Sequence, residues 1–209
     1  MNKSFYKNST KTAIGGIIAA LSIVLMLLTS AIPTLTYAIP AIAGLLLVII
    51  VIEVNKKWAF GVYFVVGVLS MLLVADKEAA VMYVMFFGYY PIIKAMVEKK
   101  LNKALSWTVK FIIFNISMIL AFLIVTYVFK VPFEEDEKYG AAAAWILLAL
   151  GNVVFLIYDI ALTRLITLYM LKWRKALKGY LNHKRNFFTL VSLFKRENMS
   201  YNIKKHFGG

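Results

Sequence analysis

Six stretches of this chain, at about 12–31, 39–54, 58–75, 79–97, 105–129 and 141–171, are apolar for almost as long as it takes to cross a lipid bilayer. About 20 residues of helix traverse a 30 Å hydrocarbon layer. The pattern predicts an all-α integral membrane protein with six transmembrane helices. Composition agrees, since 62% of the residues are hydrophobic against roughly 45–50% in soluble domains. The first run, "IGGIIAALSIVLMLLTSAI", is longer than a signal-peptide core and is followed at once by another span, so it reads as a permanent helix.

Lysine and arginine positions orient the spans, because cationic connections stay in the cytoplasm. Lys3, Lys7 and Lys11 precede the first span, Lys56 and Lys57 follow the second, and Lys99, Lys100 and Lys103 follow the fourth. The alternate connections are the uncharged first loop, the short "DKE" at 76–78 and the acidic "KVPFEEDEKYG" at 130–140. This alternation predicts a multi-pass protein of the plasma membrane with both termini cytoplasmic. The chain divides accordingly into a transmembrane domain, 1–172, and a basic cytoplasmic tail, 173–209. From Lys172 onward there are ten cations against Glu197 alone, a large part of the net +14. Such a tail is expected to meet anionic membrane lipids, not nucleic acid. Within it, "NFFTLVSLFKR" (186–196) suits a helix lying at the membrane interface, or a contact with a partner protein.

Several chemistries find no residues here. There is no cysteine, and the two histidines, His183 and His206, lie in the basic tail. A disulfide framework, a thiolate metal site and a cysteine nucleophile are excluded, and no metal site or cofactor is expected. The sequence contains no H-E-x-x-H, no G-x-S-x-G and no phosphate-binding glycine loop, so no catalytic residues are assigned and the chain is not expected to be an enzyme.

Polar residues within the spans are costly in lipid and normally face the bundle interior or a partner. Lys110, Asp159 and Arg164 are expected to form an inner charge network, with a proton or ion relay as the sharper alternative. Lys94 is read as snorkelling to the cytoplasmic surface. Tyr83, Phe87, Asn115, Trp145 and Asn152 set hydrogen-bonding groups among aromatic walls, a mixture that suits a small-molecule pocket as well as a packed core. Asn152 and Asp159, seven apart, share one helical face. Gly88 and Pro91 predict a kink in the fourth span that leaves room for a cavity. The charge-free "IPTLTYAIP" at 32–40 is interrupted by Pro33 and Pro40 and is expected to fold back over the outer mouth as a lid, offering Thr34, Thr36 and Tyr37 to a ligand.

In the first span, "TAIGGIIAAL" pairs Gly15 with Ala19 and Gly16 with Ala20 at four-residue spacing. Small residues let helix backbones approach closely, either inside the bundle or against a second membrane subunit. Six spans, this small-residue face and the hydrophobic loop after it resemble the substrate-binding S components of energy-coupling factor transporters, over Thr12 to Trp173. In that family the first helix carries an Ala-x-x-x-Ala-type motif, and here glycine stands at the first place of each pair. The resemblance implies uptake of a vitamin-like small molecule, docking through Gly15, Gly16, Ala19 and Ala20 to a transmembrane coupling subunit with paired ATPases, and capping of the ligand by the first outer loop. The competing reading is a non-catalytic membrane scaffold, comparable to the MreD family of cell-shape proteins, in which the same surfaces serve protein contacts.

Overall fold

The computed structural model describes residues 8–130 and 142–173. Among these residues all regular structure is helical, in the order α1 (Asn8–Leu28), a 3₁₀ turn (Pro33–Leu35), α2 (Ala38–Glu53), α3 (Lys56–Leu73), α4 (Lys77–Met82), a π-helical turn (Tyr83–Phe87), α5 (Tyr90–Lys100), α6 (Lys103–Leu123), a second π turn (Ile124–Val128), α7 (Ala142–Leu168) and a third (Tyr169–Trp173). The acidic loop and almost all of the basic tail, including 186–196, lie outside the described residues. The chain divides into two compact units, 1–162 and 163–209. The described part of the second is the end of α7 and the π turn after it, where the Thr167 hydroxyl donates to the Thr163 carbonyl at 2.9 Å.

Five helical rods are long and apolar enough to cross a membrane: Asn8–Leu28, Lys56–Leu73, Lys77–Lys100, Lys103–Val128 and Trp145–Leu171. They mark the chain as a multi-pass membrane protein. Their outward faces carry large apolar side chains such as Phe64, Leu72, Val154 and Ile157, which would aggregate in water but are the surface that lipid solvates. The shorter α2 has 16 residues, about 24 Å of helix. It is apolar all round and buries Ile39, Ala43, Gly44, Leu47, Val48 and Ile50, which makes it a central rod.

Local chemistry sets the ends of the helices. Pro40 stands in the first turn of α2, where a missing N–H costs nothing. Asn55 caps α3 by accepting from the Trp58 amide at 2.9 Å, and Asp76 caps α4 by accepting from the Ala79 amide at 3.0 Å. The Lys77 ammonium donates to the Met71 and Val74 carbonyls at 3.0 and 2.8 Å, closing the last turn of α3.

Neighbouring glycines in α1 have opposite fates. Gly15 is buried on the face continued by Ile18, Ser22 and Met26, and a Cβ there would come within 3.3 Å of Val62 on α3. Gly16 is exposed, with nothing within 4 Å of the same construction, and Ala20 is exposed one turn on. Successive helical residues point about 100° apart, so one small pair packs the bundle and the other faces outward.

Candidate functional site

The fourth rod is interrupted between Met82 and Tyr90, just before the helix that carries Tyr90, Lys94 and Glu98. Pro91 has no N–H to offer the Phe87 carbonyl four residues back, so the regular ladder cannot pass through. The chain widens into the π turn Tyr83–Phe87, closed by the Gly88 amide donating to the Tyr83 carbonyl at 2.8 Å. Two groups from other helices meet this turn. The Tyr63 hydroxyl of α3 donates to the Val84 carbonyl at 2.8 Å. The freed Phe87 carbonyl faces Gly44 of α2, where an added Cβ would lie 2.2 Å from its oxygen and 2.9 Å from its carbon. A Cα–H thus fills the place of the missing N–H donor. Where a kink is expected, the hydrogen-bond ladder is interrupted by the π turn and a two-residue turn at Gly88 and Tyr89, whose backbone stays in the right-handed helical region.

Beyond the break, α5 presents Tyr90, Lys94 and Glu98 at four-residue spacing on one face, toward Lys110 of α6 and Asp159 of α7. The four charged groups form a closed alternating square. Lys94 Nζ lies 2.6 Å from Asp159 Oδ1 and 2.7 Å from Glu98 Oε1. Lys110 Nζ lies 3.0 Å from Asp159 Oδ2 and 2.5 Å from the same Glu98 oxygen. The Tyr90 hydroxyl donates to Asp159 Oδ1 at 2.5 Å, and the Lys110 ammonium sits 4.8 Å from the centre of the Trp107 ring. Lys94, Lys110 and Asp159 are 1%, 3% and 2% exposed, whereas the Glu98 side chain is 41% exposed. Two cations and two anions cancel, which is the condition for holding charges in a low-dielectric interior.

An aromatic layer adjoins the square. Phe114 and Phe155 stack with ring centres 4.7 Å apart, and Phe86 meets Tyr90, Phe114 and Phe155 at 4.7, 5.2 and 5.9 Å. Further along α6 and α7, Asn115 and Asn152 exchange amide hydrogen bonds at 2.9 and 3.0 Å. Each also donates to the carbonyl four residues back, that of Phe111 at 2.9 Å and that of Leu148 at 2.8 Å. Tyr89 and Ser117 make another α5-side to α6 contact at 2.5 Å.

The first loop is tied at the opposite end of the rods. The Thr36 hydroxyl donates to Asp76 Oδ2 at 2.8 Å and the Tyr37 hydroxyl to Glu78 Oε1. Loss of water around its hydroxyl, and then the Glu78 carboxylate beside it, push the Tyr37 phenol above its ordinary value, so it stays a neutral donor. Thr34 is exposed.

The groups named from sequence thus fall into separate places. Asn115 and Asn152 come together, as do Lys110 and Asp159. Tyr83 and Phe87 lie on the π turn, Tyr83 fully buried and Phe87 against Phe86 and Tyr158 at 5.3 Å each. Trp145 is 69% exposed, and Thr36 and Tyr37 face the α3–α4 connection. Arg164 is exposed and lies in the second unit. Lys94 does not snorkel: two carboxylates hold it inside, which removes the reason to reach for water. Glu98 and Tyr90 went unassigned from sequence, although their spacing with Lys94 is a one-face signal. Finally, the Tyr83 and Tyr158 hydroxyls are buried without a hydrogen-bond partner among the described residues.

Compared with protein-family models, curated proteins and solved structures, the chain matches none.

Proposed function

We propose that this chain is a membrane-embedded substrate-binding subunit for uptake of a small vitamin-like molecule, working with a separate ATP-driven coupling module. In this reading all six helices cross the plasma membrane and both termini are cytoplasmic. The observation that carries it is the outward face of α1, where Gly16 and Ala20 leave an open strip on which another subunit's helix backbone can seat. The unpartnered Tyr83 and Tyr158 hydroxyls among aromatic rings favour a flat, neutral ligand that accepts hydrogen bonds. The chain itself performs no catalysis here.

Gly16→Leu is expected to abolish copurification of a transmembrane coupling subunit and its ATPases while the isolated variant melts as wild type does, because its side chain enters open space. Gly15→Leu should instead unfold the protein against Val62. A Gly16→Leu protein that still brings down the coupling module would remove the docking face. For topology, single cysteines replacing Thr34 and Lys103 in this cysteine-free chain should divide, with an impermeant thiol reagent labelling only position 34 in intact cells. Labelling at 103 alone would invert the orientation.

A second reading, a non-catalytic scaffold for other membrane proteins, is favoured by a specific observation: the Asn115 and Asn152 amides satisfy one another and leave little for a ligand. Mass spectrometry of small molecules carried through mild extraction separates the two, since a scaffold carries none.

A further inference from the structure

Outside the uptake reading stands the charge square, whose members are not equivalent. Lys94, Lys110 and Asp159 are almost completely buried and together carry one surplus positive charge. The group that cancels it is Glu98, on a flexible stem and 41% exposed. A single oxygen of Glu98 bridges both ammoniums, at 2.7 and 2.5 Å, while Asp159 uses both of its oxygens and is further held by Tyr90. The centre is therefore a rigid cationic cradle with a partly solvated acid set into it.

We infer that Lys94, Lys110, Asp159 and Tyr90 build a binding site for a carboxylate or phosphate group, which Glu98 fills from the chain itself and vacates when such an anion arrives. An incoming anion keeps the buried charges balanced, whereas a cation would meet two ammoniums; this restricts the ligand to anions. Lysines suit the role, as compact point charges with donors that rotate to follow an oxygen. A spare donor lies close by in sequence and face: Ser106, one turn before Lys110 on α6, is buried, and its hydroxyl has no partner among the described residues. Exposed Lys99, Lys100 and Lys103, on and just after the end of α5, raise the local concentration of anions. The same chemistry is offered by a soluble carboxylate or phosphate and by the headgroup of an anionic lipid.

The site does not depend on the uptake function, and its test needs only the full-length protein in neutral detergent. Glu98→Ala leaves the surplus charge exposed to exchange and should lower Tm. Sodium acetate or sodium phosphate, at ionic strength held constant with sodium chloride, should then raise it by roughly 5 °C or more at saturation. A rise with acetate or phosphate identifies a soluble anion as sufficient; a rise only with phosphatidylglycerol, and not phosphatidylcholine, identifies a lipid headgroup. Glu98→Ala combined with Lys110→Met is neutral again and should not respond to any of them. Wild type should show the same order of preference at higher concentration, because Glu98 competes. Should Glu98→Ala not fold, Glu98→Gln removes the charge at nearly constant shape and takes the same titrations. The site is refuted if neither variant gains stability over the chloride and phosphatidylcholine controls, or if the neutral double variant gains as much. It is equally refuted if wild type stays unresponsive at roughly a hundred times the concentration that saturates the variant, since Glu98 would then be a fixed structural ion.

Discussion

Asp159→Ala is expected to lose about 3–5 kcal/mol of stability, close to the whole margin of many proteins. The variant would keep Lys94 and Lys110 facing one oxygen of Glu98, with a surplus charge in the interior and the Tyr90 hydroxyl deprived of its acceptor. Removing a balanced pair should be milder. Lys94→Met with Asp159→Leu leaves the neutral pair Lys110–Glu98; replacing a buried ion pair by apolar side chains of similar volume is often neutral or better, so what remains is about 1–3 kcal/mol for the Tyr90 hydroxyl left without its acceptor. Unfolding in mixed micelles, followed by tryptophan fluorescence, measures both. A single variant as stable as the double one would show that water reaches the square and screens it.

Gly44→Ala is expected to be as damaging for a different reason. The added methyl would stand 2.2 Å from the Phe87 oxygen, and that obstacle is backbone, which cannot rotate away. Overpacking against yielding side chains costs about 1–3 kcal/mol, so this change belongs at or above the upper limit. The Cα–H contact to the unpaired carbonyl, worth about 0.5–1 kcal/mol, is lost with it. At about 2–4 °C per kcal/mol for a chain of this size, Tm should fall by roughly 6 °C or more. Gly61→Ala is the control, since its added methyl meets nothing within 4 Å. Equal melting of the Gly44 and Gly61 variants would mean that α2 and the π turn are not held together here.

Why could the rods be read from sequence when these two contacts could not? Long apolar runs report on the solvent around a helix, so the helical segments can be located from them, with ends that differ by a few residues, and five are long enough to cross a membrane. Which face turns inward is a finer matter. Gly15 and Gly16 are chemically identical neighbours, and only the packing of α1 on α3 makes one a core residue and the other an open surface. The amides of Asn115 and Asn152 could be recognised as costly in lipid, but their mutual satisfaction depends on the register between α6 and α7. Lys94 illustrates competing principles: a lysine near a helix end snorkels when water is its best partner, and here two carboxylates are better. Glu98 was hidden by its neighbours, because "EKK" reads as part of a cationic end. The loss of a donor at Pro91 was visible in the sequence, yet the destination of the orphaned Phe87 carbonyl lies on a helix more than forty residues earlier.

The charge square also has a history within each molecule's synthesis. Lys94, Glu98 and Lys110 emerge from the ribosome within 17 residues of one another, and Asp159 follows 49 residues after Lys110. Until residue 159 is made, the growing chain holds two ammoniums against one carboxylate. Asp159 supplies the missing charge from α7, so the square is electrically balanced only once the last of its three helices has been made.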